Sequence, residues 1–174
     1  MRLDLACGNN KQEGFTGIDI TKEGTQADIA LNLLSFPWSF EENSVDEIFC
    51  SHFIEHIPHG DGFNDPFFDF FNEVGRILRV GGKAIFTTPY YTSMRAFQDP
   101  THQRFITEAT YAYLDQEWRK NNKLEHYPIK TDLKVVSCDY FYSGKPEDLS
   151  NEDRQFGLKH FWNVSADMRV VIQK

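Results

Sequence analysis

The chain has 174 residues, of which 40% are hydrophobic and 15% aromatic, enough apolar material for one domain, 1–174, with a sizeable core. Its formal net charge of -8 argues against a general nucleic-acid binder, because such proteins use lysine and arginine to neutralise phosphates. The chain enters a strand pattern at once, without a signal peptide, and no apolar run approaches the roughly 20 residues of a membrane span, so we expect a cytoplasmic protein that does not bind membranes.

Strand-like and helix-like segments alternate along the first half of the chain. Asp65–Leu78 predicts a helix, because its apolar residues recur at intervals of three and four, with Asp65 as the N-cap and Gly81-Gly82 ending the segment. Short apolar runs bounded by turn residues predict five strands: Leu3–Ala6, Phe15–Ile20, Ala27–Leu31, Val45–Ser51 and Lys83–Thr88.

The second half predicts one more helix and two long strands. Thr107–Trp118 has a helical pattern with Thr107 as its cap. Leu133–Tyr142 and Trp162–Gln173 are β-rich and predict a closing antiparallel pair, joined by Ser143–Lys159, which is polar and predicts a long loop. Strands that alternate with helices in this way are typical of an α/β fold with a mainly parallel sheet.

The positions of the phenylalanines and cysteines indicate structural roles for these residues. The 16 phenylalanines are concentrated at 63–71, where core packing of the helix is favoured over a hydrophobic substrate surface or dimer surface. The cysteines, Cys7, Cys50 and Cys138, fit no zinc-binding spacing, so we expect buried free thiols and no metal site.

The carboxyl ends of the first two predicted strands carry a glycine and an acidic residue. In open α/β sheets, ligands bind in the crevice beyond these strand ends. Gly8 lets the backbone approach a ligand closely, and Asp19 can accept hydrogen bonds from two ribose hydroxyls. The pair predicts a site for a cofactor that contains adenosine.

The spacing of this pair bears on which cofactor is bound. A dinucleotide needs several glycines around its pyrophosphate, in the pattern G-x-G-x-x-G, and an acidic residue about 20 positions further on. Here Asn9-Asn10-Lys11 follows Gly8, Asp19 comes only 11 residues after it, and no P-loop is present. The sequence therefore disfavours NAD and favours S-adenosyl-L-methionine, which carries no phosphate.

Four motifs occur in order between Leu3 and Pro89: L-D-L-A-C-G, G-I-D-I, A-D-I-A-L-N-L and the segment that runs from V-D-E-I-F-C-S-H to V-G-G-K-A-I-F-T-T-P. In this order they resemble the class I, Rossmann-like S-adenosylmethionine-dependent methyltransferases, above all small members whose first helix is reduced to a short loop. The resemblance implies a three-layer α/β fold with a mainly parallel seven-stranded sheet and an antiparallel closing strand. Because the chain begins at the first strand, we expect no N-terminal lid helices, so that later loops, a partner or a homo-oligomer covers the cofactor.

The resemblance also assigns roles to matching positions. Asp19 would bind the ribose, with a surface turn residue as the alternative, and Ile20 would pack on the adenine. Asn32 stands where an aspartate is usual and would meet the adenine amino group, unless it is a simple turn residue, while Leu33 would meet a ring nitrogen. Ser51 would face the methionine portion of the cofactor. The first motif would line the methionine and ribose portions of the cofactor, and its residues are Asp4, Ala6, Cys7 and Gly8. For Asp4, a purely structural role is the alternative.

Two histidines are candidates for a catalytic base. His52 lies at the end of the fourth strand, and His102 belongs to the stretch D-P-T-H-Q-R-F after the fifth. Asp99 and Arg104 of that stretch could bind a substrate, although a turn that caps the next helix is an equal alternative. The Glu55-His56 pair could act as acid and base, but we favour the start of a helix, with the histidine bonded to the backbone.

The predicted function is methyl transfer to a small-molecule or glycan-like acceptor. DNA amino-methyltransferases carry N/D-P-P-Y/F at the end of the fourth strand, whereas this chain has Cys50-Ser51-His52-Phe53 there, and the negative charge also disfavours nucleic acid. A non-catalytic protein that binds the cofactor and acts as a partner or regulatory subunit is the alternative.

Overall fold

The computed structural model describes residues 1–62, 64–144 and 148–174. Its strands are β1 (Arg2–Leu5), β2 (Thr16–Asp19), β3 (Ile29–Ala30), β4 (Val45–Ser51), β5 (Leu78–Pro89), β6 (Lys134–Tyr142) and β7 (Ser165–Gln173). Its helices are α1 (Pro66–Ile77), α2 (Arg95–Gln98), α3 (Glu108–Ala112), α4 (Gln116–Asn121) and α5 (Asn151–His160), with a 3₁₀ turn at Ile54–His56. Within the described ranges, no helix is both long and apolar enough to cross a membrane.

All seven strands form one sheet, in the order β3-β2-β1-β4-β5-β7-β6. Strands β1 to β5 pair in parallel, and β7 is antiparallel to both of its neighbours, β5 and β6. This arrangement confirms the mainly parallel α/β sheet with an antiparallel closing strand. It also brings the carboxyl ends of β1, β2, β4 and β5 to one edge.

Helix α1 covers one face of the sheet and begins where the sequence predicts. Asp65 caps it by accepting a hydrogen bond from the amide of residue 67. Phe70 and Phe71 of α1 are fully buried, and their rings lie 6.2 and 5.2 Å from that of Phe86 in β5. The aromatic cluster is thus core packing, as favoured above, except that Phe63 lies outside the described residues.

The opposite face of the sheet is less well covered. Successive side chains of a strand point to opposite faces, and the register aligns Phe49, Ile85 and Val171 across β4, β5 and β7. These three residues are only half buried, whereas their neighbours on the α1 face are fully buried. The connections from β1 to β2 and from β2 to β3, all of whose residues are described, contain no helix.

The predicted loop Ser143–Lys159 and the predicted helix Thr107–Trp118 both need correction. The first contains α5, which begins after Ser150, whose hydroxyl accepts from the amide of Asp153. The second is divided into α3, which Thr107 caps as predicted, and α4. The division has a local cause, because Asp115 accepts from the amide of Trp118 and starts a new helix.

The end of α1 also differs from the prediction. The helix stops at Ile77, and Leu78 already has an extended backbone as the first residue of β5. Gly81-Gly82 therefore lies inside this strand instead of ending the helix. The pairing of β4 with β5 jumps between Val45 and Glu47, which shows that residues 79–82 form an irregularity in the strand.

Candidate functional site

Gly8 and Asp19 meet at the carboxyl edge of β1 and β2. Gly8 has a φ of +51°, which favours glycine, and a Cβ built on it would meet no atom within 4 Å. Its amide donates to Oδ2 of Asp19 at 2.9 Å, and Oδ1 accepts from the amide of Ile20 at 2.7 Å. The structure therefore brings together the two residues that the sequence pairs, with open space beside the glycine.

Asp19 and Ile20 have the properties that an adenosine needs. A carboxylate offers about four lone-pair sites, so two backbone amides leave it capacity for ribose hydroxyls. Ile20 is 69% exposed, which presents an apolar surface directly beside the carboxylate. An acceptor and an apolar surface at one edge match the two ends of a nucleoside.

The other residues of the first motif are more enclosed. Asp4 is almost fully buried, and one of its carboxylate oxygens accepts from the amide of Gln12 at 2.7 Å. Burial raises the pKa of Asp4, against the opposing effects of this bond and of the Lys11 charge. Burial also raises the pKa of the Cys7 thiol, and Ala6 has a left-handed backbone with φ +54°. The hydrogen bond from the amide of Gln12 fits a structural role for Asp4, and its contact with a cofactor stays a prediction.

Asn32 and Leu33 lie in a turn after β3. The side-chain oxygen of Asn32 accepts from the amide of Leu34 at 2.9 Å, and its carbonyl accepts from the amide of Ser35 at 3.0 Å. The Leu33 side chain is buried in the core, and its carbonyl accepts from the indole of Trp38. The structure thus contains the turn that the alternative interpretation of Asn32 requires, and an adenine contact of Asn32 and Leu33 remains a prediction.

Ser51 and His52 lie at the end of β4, one strand away from Gly8. His52 has a φ of +54°, and its amide donates to the carbonyl of Thr87 in β5. Its ring Nδ1 lies 3.2 Å from Oε1 of Glu55, and this hydrogen bond raises the pKa of His52 although partial burial opposes the shift. With a side chain that is 36% exposed, His52 can be reached from solvent at the crevice.

The stretch after β5 packs against the turn after β4. The amides of Gln103 and Arg104 both donate to the carbonyl of Glu55, at 2.8 and 3.0 Å. The Arg104 guanidinium donates to the carbonyls of residues 57 and 58 and to the carboxylate of Asp65, the cap of α1. Arg104 therefore joins three segments of the chain, which supports the structural alternative over substrate binding for this side chain.

The structure also places His56 against His102, with ring centroids 4.7 Å apart. His56 bonds through Nδ1 to the hydroxyl of Thr101 at 3.0 Å, so the expectation that it bonds to the backbone is wrong. The turn that holds it is a single 3₁₀ turn. His102 lies 3.1 Å from the carbonyl of Ala96 through Nδ1, and its side chain is only 8% exposed.

One supporting residue at this edge was missed from the sequence. Asp28 accepts from the amide of Gly17 at 2.7 Å and lies 3.0 Å from Nζ of Lys11. The hydrogen bonds from Gly17 and Lys11 lower the pKa of Asp28. Two cavities of about 590 and 620 Å³ lie elsewhere, since neither is lined by Gly8 or Asp19.

No family model and no curated protein matches this sequence, whereas solved structures do match its fold. A SAM-dependent methyltransferase from Archaeoglobus fulgidus is 17% identical, with a TM-score of 0.68 over 99% of this chain and 85% of that one. Another from Methanosarcina mazei is 16% identical, with a TM-score of 0.58 over 99% and 91%. A chain from a Haloferax volcanii complex that contains the Trm112 methyltransferase activator is 15% identical, with a TM-score of 0.58 over 99% and 81%.

At these identities the likeness is one of fold. The chain has the Rossmann-like fold of the class I SAM-dependent methyltransferases, which confirms the fold that the four sequence motifs predict. Its candidate site lies at the carboxyl edge of the parallel strands, where open α/β sheets bind their ligands.

Proposed function

We propose that this protein transfers a methyl group from S-adenosylmethionine to a small-molecule or glycan-like acceptor. The observation that carries the proposal is the hydrogen bond between Gly8 and Asp19 beside open space, at the ligand-binding edge of a methyltransferase fold. The acceptor class rests on the net charge of -8 and on the lack of an N/D-P-P-Y/F motif at the end of β4.

The residues at this edge each bind a different portion of the cofactor. Asp19 accepts hydrogen bonds from the ribose, and the exposed Ile20 packs on the adenine. Asn32 and Leu33 contact the adenine edge, while Ser51 approaches the methionine portion. The open space at Gly8 admits the amino acid end of the cofactor, which the first motif lines. The cofactor supplies a methyl group already activated by a sulphonium cation.

The protein's main task is then alignment. Holding an acceptor in line with the methyl group can account for about 7–11 kcal/mol of the barrier. A base is needed only when the acceptor atom keeps a proton, and it adds typically about 10²–10⁴-fold. Of the two candidates, His52 fits this role better than His102, because it lies at the strand end and is 36% rather than 8% exposed.

A cover for the crevice is part of the proposal. Ile20 is exposed, and residues 6–28 contain no helix that could shield it. We infer that a partner protein, a second copy or the later loops close over the cofactor. The Haloferax volcanii complex is an example in which a chain of this fold occurs together with an activator protein.

Calorimetric titration with S-adenosylhomocysteine tests the cofactor, with NAD as the negative control. We expect one bound equivalent of S-adenosylhomocysteine and no heat from NAD. A screen of small hydroxyl and amine acceptors, read out as S-adenosylhomocysteine formed, then tests turnover. Binding without turnover on any acceptor would favour the non-catalytic alternative, and no binding would refute both.

A pair of glycine variants shows whether the space beside Gly8 is used. Gly8 and Gly144 both have positive φ, and a Cβ on either would meet nothing within 4 Å among the residues that the structure describes. Each alanine substitution should therefore cost about 1–2 kcal/mol of stability through backbone strain alone. Only Gly8→Ala should also weaken S-adenosylhomocysteine binding, and equal affinities for the two variants would contradict the assignment.

A further inference from the structure

Beyond the cofactor crevice, the turn after β4 and the loop after β5 bring three metal-ligating side chains together. Glu55, His56 and His102 each offer one ligand atom, and these atoms lie within 4.8 Å of one another. Glu55 is 1% exposed, and the two rings are partly buried. The cluster is fixed by the backbone bonds from residues 103 and 104 to the carbonyl of Glu55.

The hydrogen bonds around the two histidines determine which nitrogen carries the proton. Thr101 donates its hydroxyl proton to the carboxylate of Asp99 at 2.7 Å, so its oxygen accepts from Nδ1–H of His56. His102 likewise donates from Nδ1, because its partner is the carbonyl of Ala96. In the neutral ring, Nε2 of each histidine is then left with the lone pair, and Nε2 of His102 lies 4.0 Å from Oδ2 of Asp99, too far for a hydrogen bond. Metal-ligating histidines are typically oriented in this way by a bond from the other nitrogen.

Glu55 adds a second, independent indication. One carboxylate oxygen is bonded to Nδ1 of His52, whereas the other, Oε2, is buried and has no hydrogen-bond partner among the residues that the structure describes. A buried carboxylate oxygen without a partner is costly. A cation held between this oxygen and two imidazole lone pairs would satisfy all three acceptors.

We propose that Glu55, His56 and His102 bind a divalent transition metal ion, with Zn²⁺ as the best chemical fit. Two imidazoles and one carboxylate form a known catalytic zinc ligand set, which keeps a further position open for water or substrate. Ligands at about 2.0–2.2 Å from zinc lie roughly 3.4 Å apart on a tetrahedron, so ligand atoms within 4.8 Å of one another need to approach by about 1.4 Å at most. The cysteine spacing gave no hint of this site, because its ligands are histidine and glutamate.

The position of the site gives it a role at the acceptor. Through Glu55 the cluster is joined to His52 at the end of β4, the strand next to β1, which Gly8 follows. The open coordination position would bind an oxygen of the acceptor and orient it. This role rests on the proposed methyl transfer, whereas metal binding itself does not.

Titration of the metal-free protein with Co²⁺, a spectroscopic probe for a zinc site, tests the proposal. We expect one equivalent to bind and to give visible absorption bands of Co²⁺ with nitrogen and oxygen ligands. Zn²⁺ should displace it and abolish the bands. Glu55→Gln and His56→Gln should each weaken Co²⁺ binding at least tenfold. The absence of a one-equivalent site in the wild type would overturn the proposal.

His59→Gln is the matched control, because this exposed histidine lies three residues beyond His56 and its ring bonds to the carbonyl of residue 103. It should bind Co²⁺ as the wild type does. Equal binding by all three variants would assign the ion to adventitious surface ligands and overturn the proposal. Circular dichroism and urea midpoints verify folding, and His102→Gln replaces any variant that fails to fold.

Titration with S-adenosylhomocysteine separates the metal site from the proposed function. His56→Gln should bind it with wild-type affinity, since the His56 ring contacts Thr101 and His102 and no residue assigned to the cofactor. A wild type that binds Co²⁺ but no S-adenosylhomocysteine would refute the methyltransferase proposal and leave the metal site standing.

Discussion

Asp19→Asn separates ribose binding from support of the loop. In the native chain the carboxylate accepts from the amides of Gly8 and Ile20, at 2.9 and 2.7 Å. Asparagine has one acceptor oxygen and an NH₂ group, so it keeps one of these bonds and turns a donor towards the other amide. The substitution also removes the negative charge that would strengthen hydrogen bonds from the ribose hydroxyls. Both effects weaken S-adenosylhomocysteine binding, and they must be distinguished.

The size of the ribose effect follows from the number of bonds. A hydrogen bond to a charged group contributes about 1.5–3 kcal/mol, and the lower figure suits this partly exposed site. Two ribose hydroxyls then account for about 3 kcal/mol, or roughly a hundredfold in Kd. Loss of loop support acts on any ligand of the crevice, with or without those hydroxyls.

Calorimetry on two ligands resolves the two effects. S-adenosylhomocysteine is compared with an analogue that lacks both ribose hydroxyls. Asp19→Asn should weaken the first roughly a hundredfold and leave the second within about threefold. Asp28→Asn, the matched control, keeps an oxygen for the amide of Gly17 but removes the charge that pairs with Lys11, and it should change the affinity for both ligands by the same small factor. If Asp19→Asn weakens both ligands equally, Asp19 supports the loop and does not bind ribose.

Three further predictions concern stability and the adenine surface. Burial alone would raise the pKa of Glu73, but hydrogen bonds from Arg76 and a backbone amide lower it overall. Glu73→Gln should therefore lower the free energy of unfolding by about 2–4 kcal/mol at pH 7. In urea unfolding, the difference between wild type and variant should shrink as the pH falls below 4.5, the ordinary pKa of the unfolded carboxyl. Gly75→Ala should destabilise α1 and lower Tm despite a gain of about 1 kcal/mol in helix propensity, because its Cβ would overlap the Thr131 hydroxyl; a raised Tm would contradict the packing. Ile20→Ser should leave stability within about 0.5 kcal/mol and raise the Kd for S-adenosylhomocysteine about five- to tenfold, since Ile20 is exposed until adenine covers it; an unchanged Kd would exclude that contact.

The sheet could be predicted from sequence because each strand is an apolar run closed by turn residues. Val45–Ser51 occurs with the predicted bounds, and the last two strands form the predicted antiparallel pair. Helix α5 was missed because its sequence, N-E-D-R-Q-F-G-L-K-H, has no clear apolar stripe. The one signal for it was the spacing of Ser150 and Asp153, a capping pattern that precedes an otherwise polar segment.

Of the two candidate sites, one could likewise be predicted from the sequence and the other could not. Gly8 comes shortly after β1 and Asp19 is the last residue of β2, and the carboxyl ends of parallel strands share an edge, so their meeting could be predicted. The meeting of Glu55, His56 and His102 could not. It depends on how the loop after β5 docks on the turn after β4 through backbone hydrogen bonds, and no periodicity in the sequence encodes that contact.

The short connection between β1 and β2 explains why Asp19, the proposed ribose ligand, also supports the loop. Parallel strands usually need a crossover of a dozen or more residues, most often a helix that pairs its own backbone groups. Residues 6–15 contain no helix, and carboxylates instead accept from backbone amides in this connection and at the start of β2. The three carboxylates are Asp4, Asp19 and Asp28, and their respective amide partners are those of Gln12, Gly8 and Gly17. The crevice is thereby held in shape before any ligand binds, which reduces the ordering cost of binding. Loss of affinity in Asp19→Asn alone therefore cannot identify a ribose contact, and the difference between the two ligands is what isolates it.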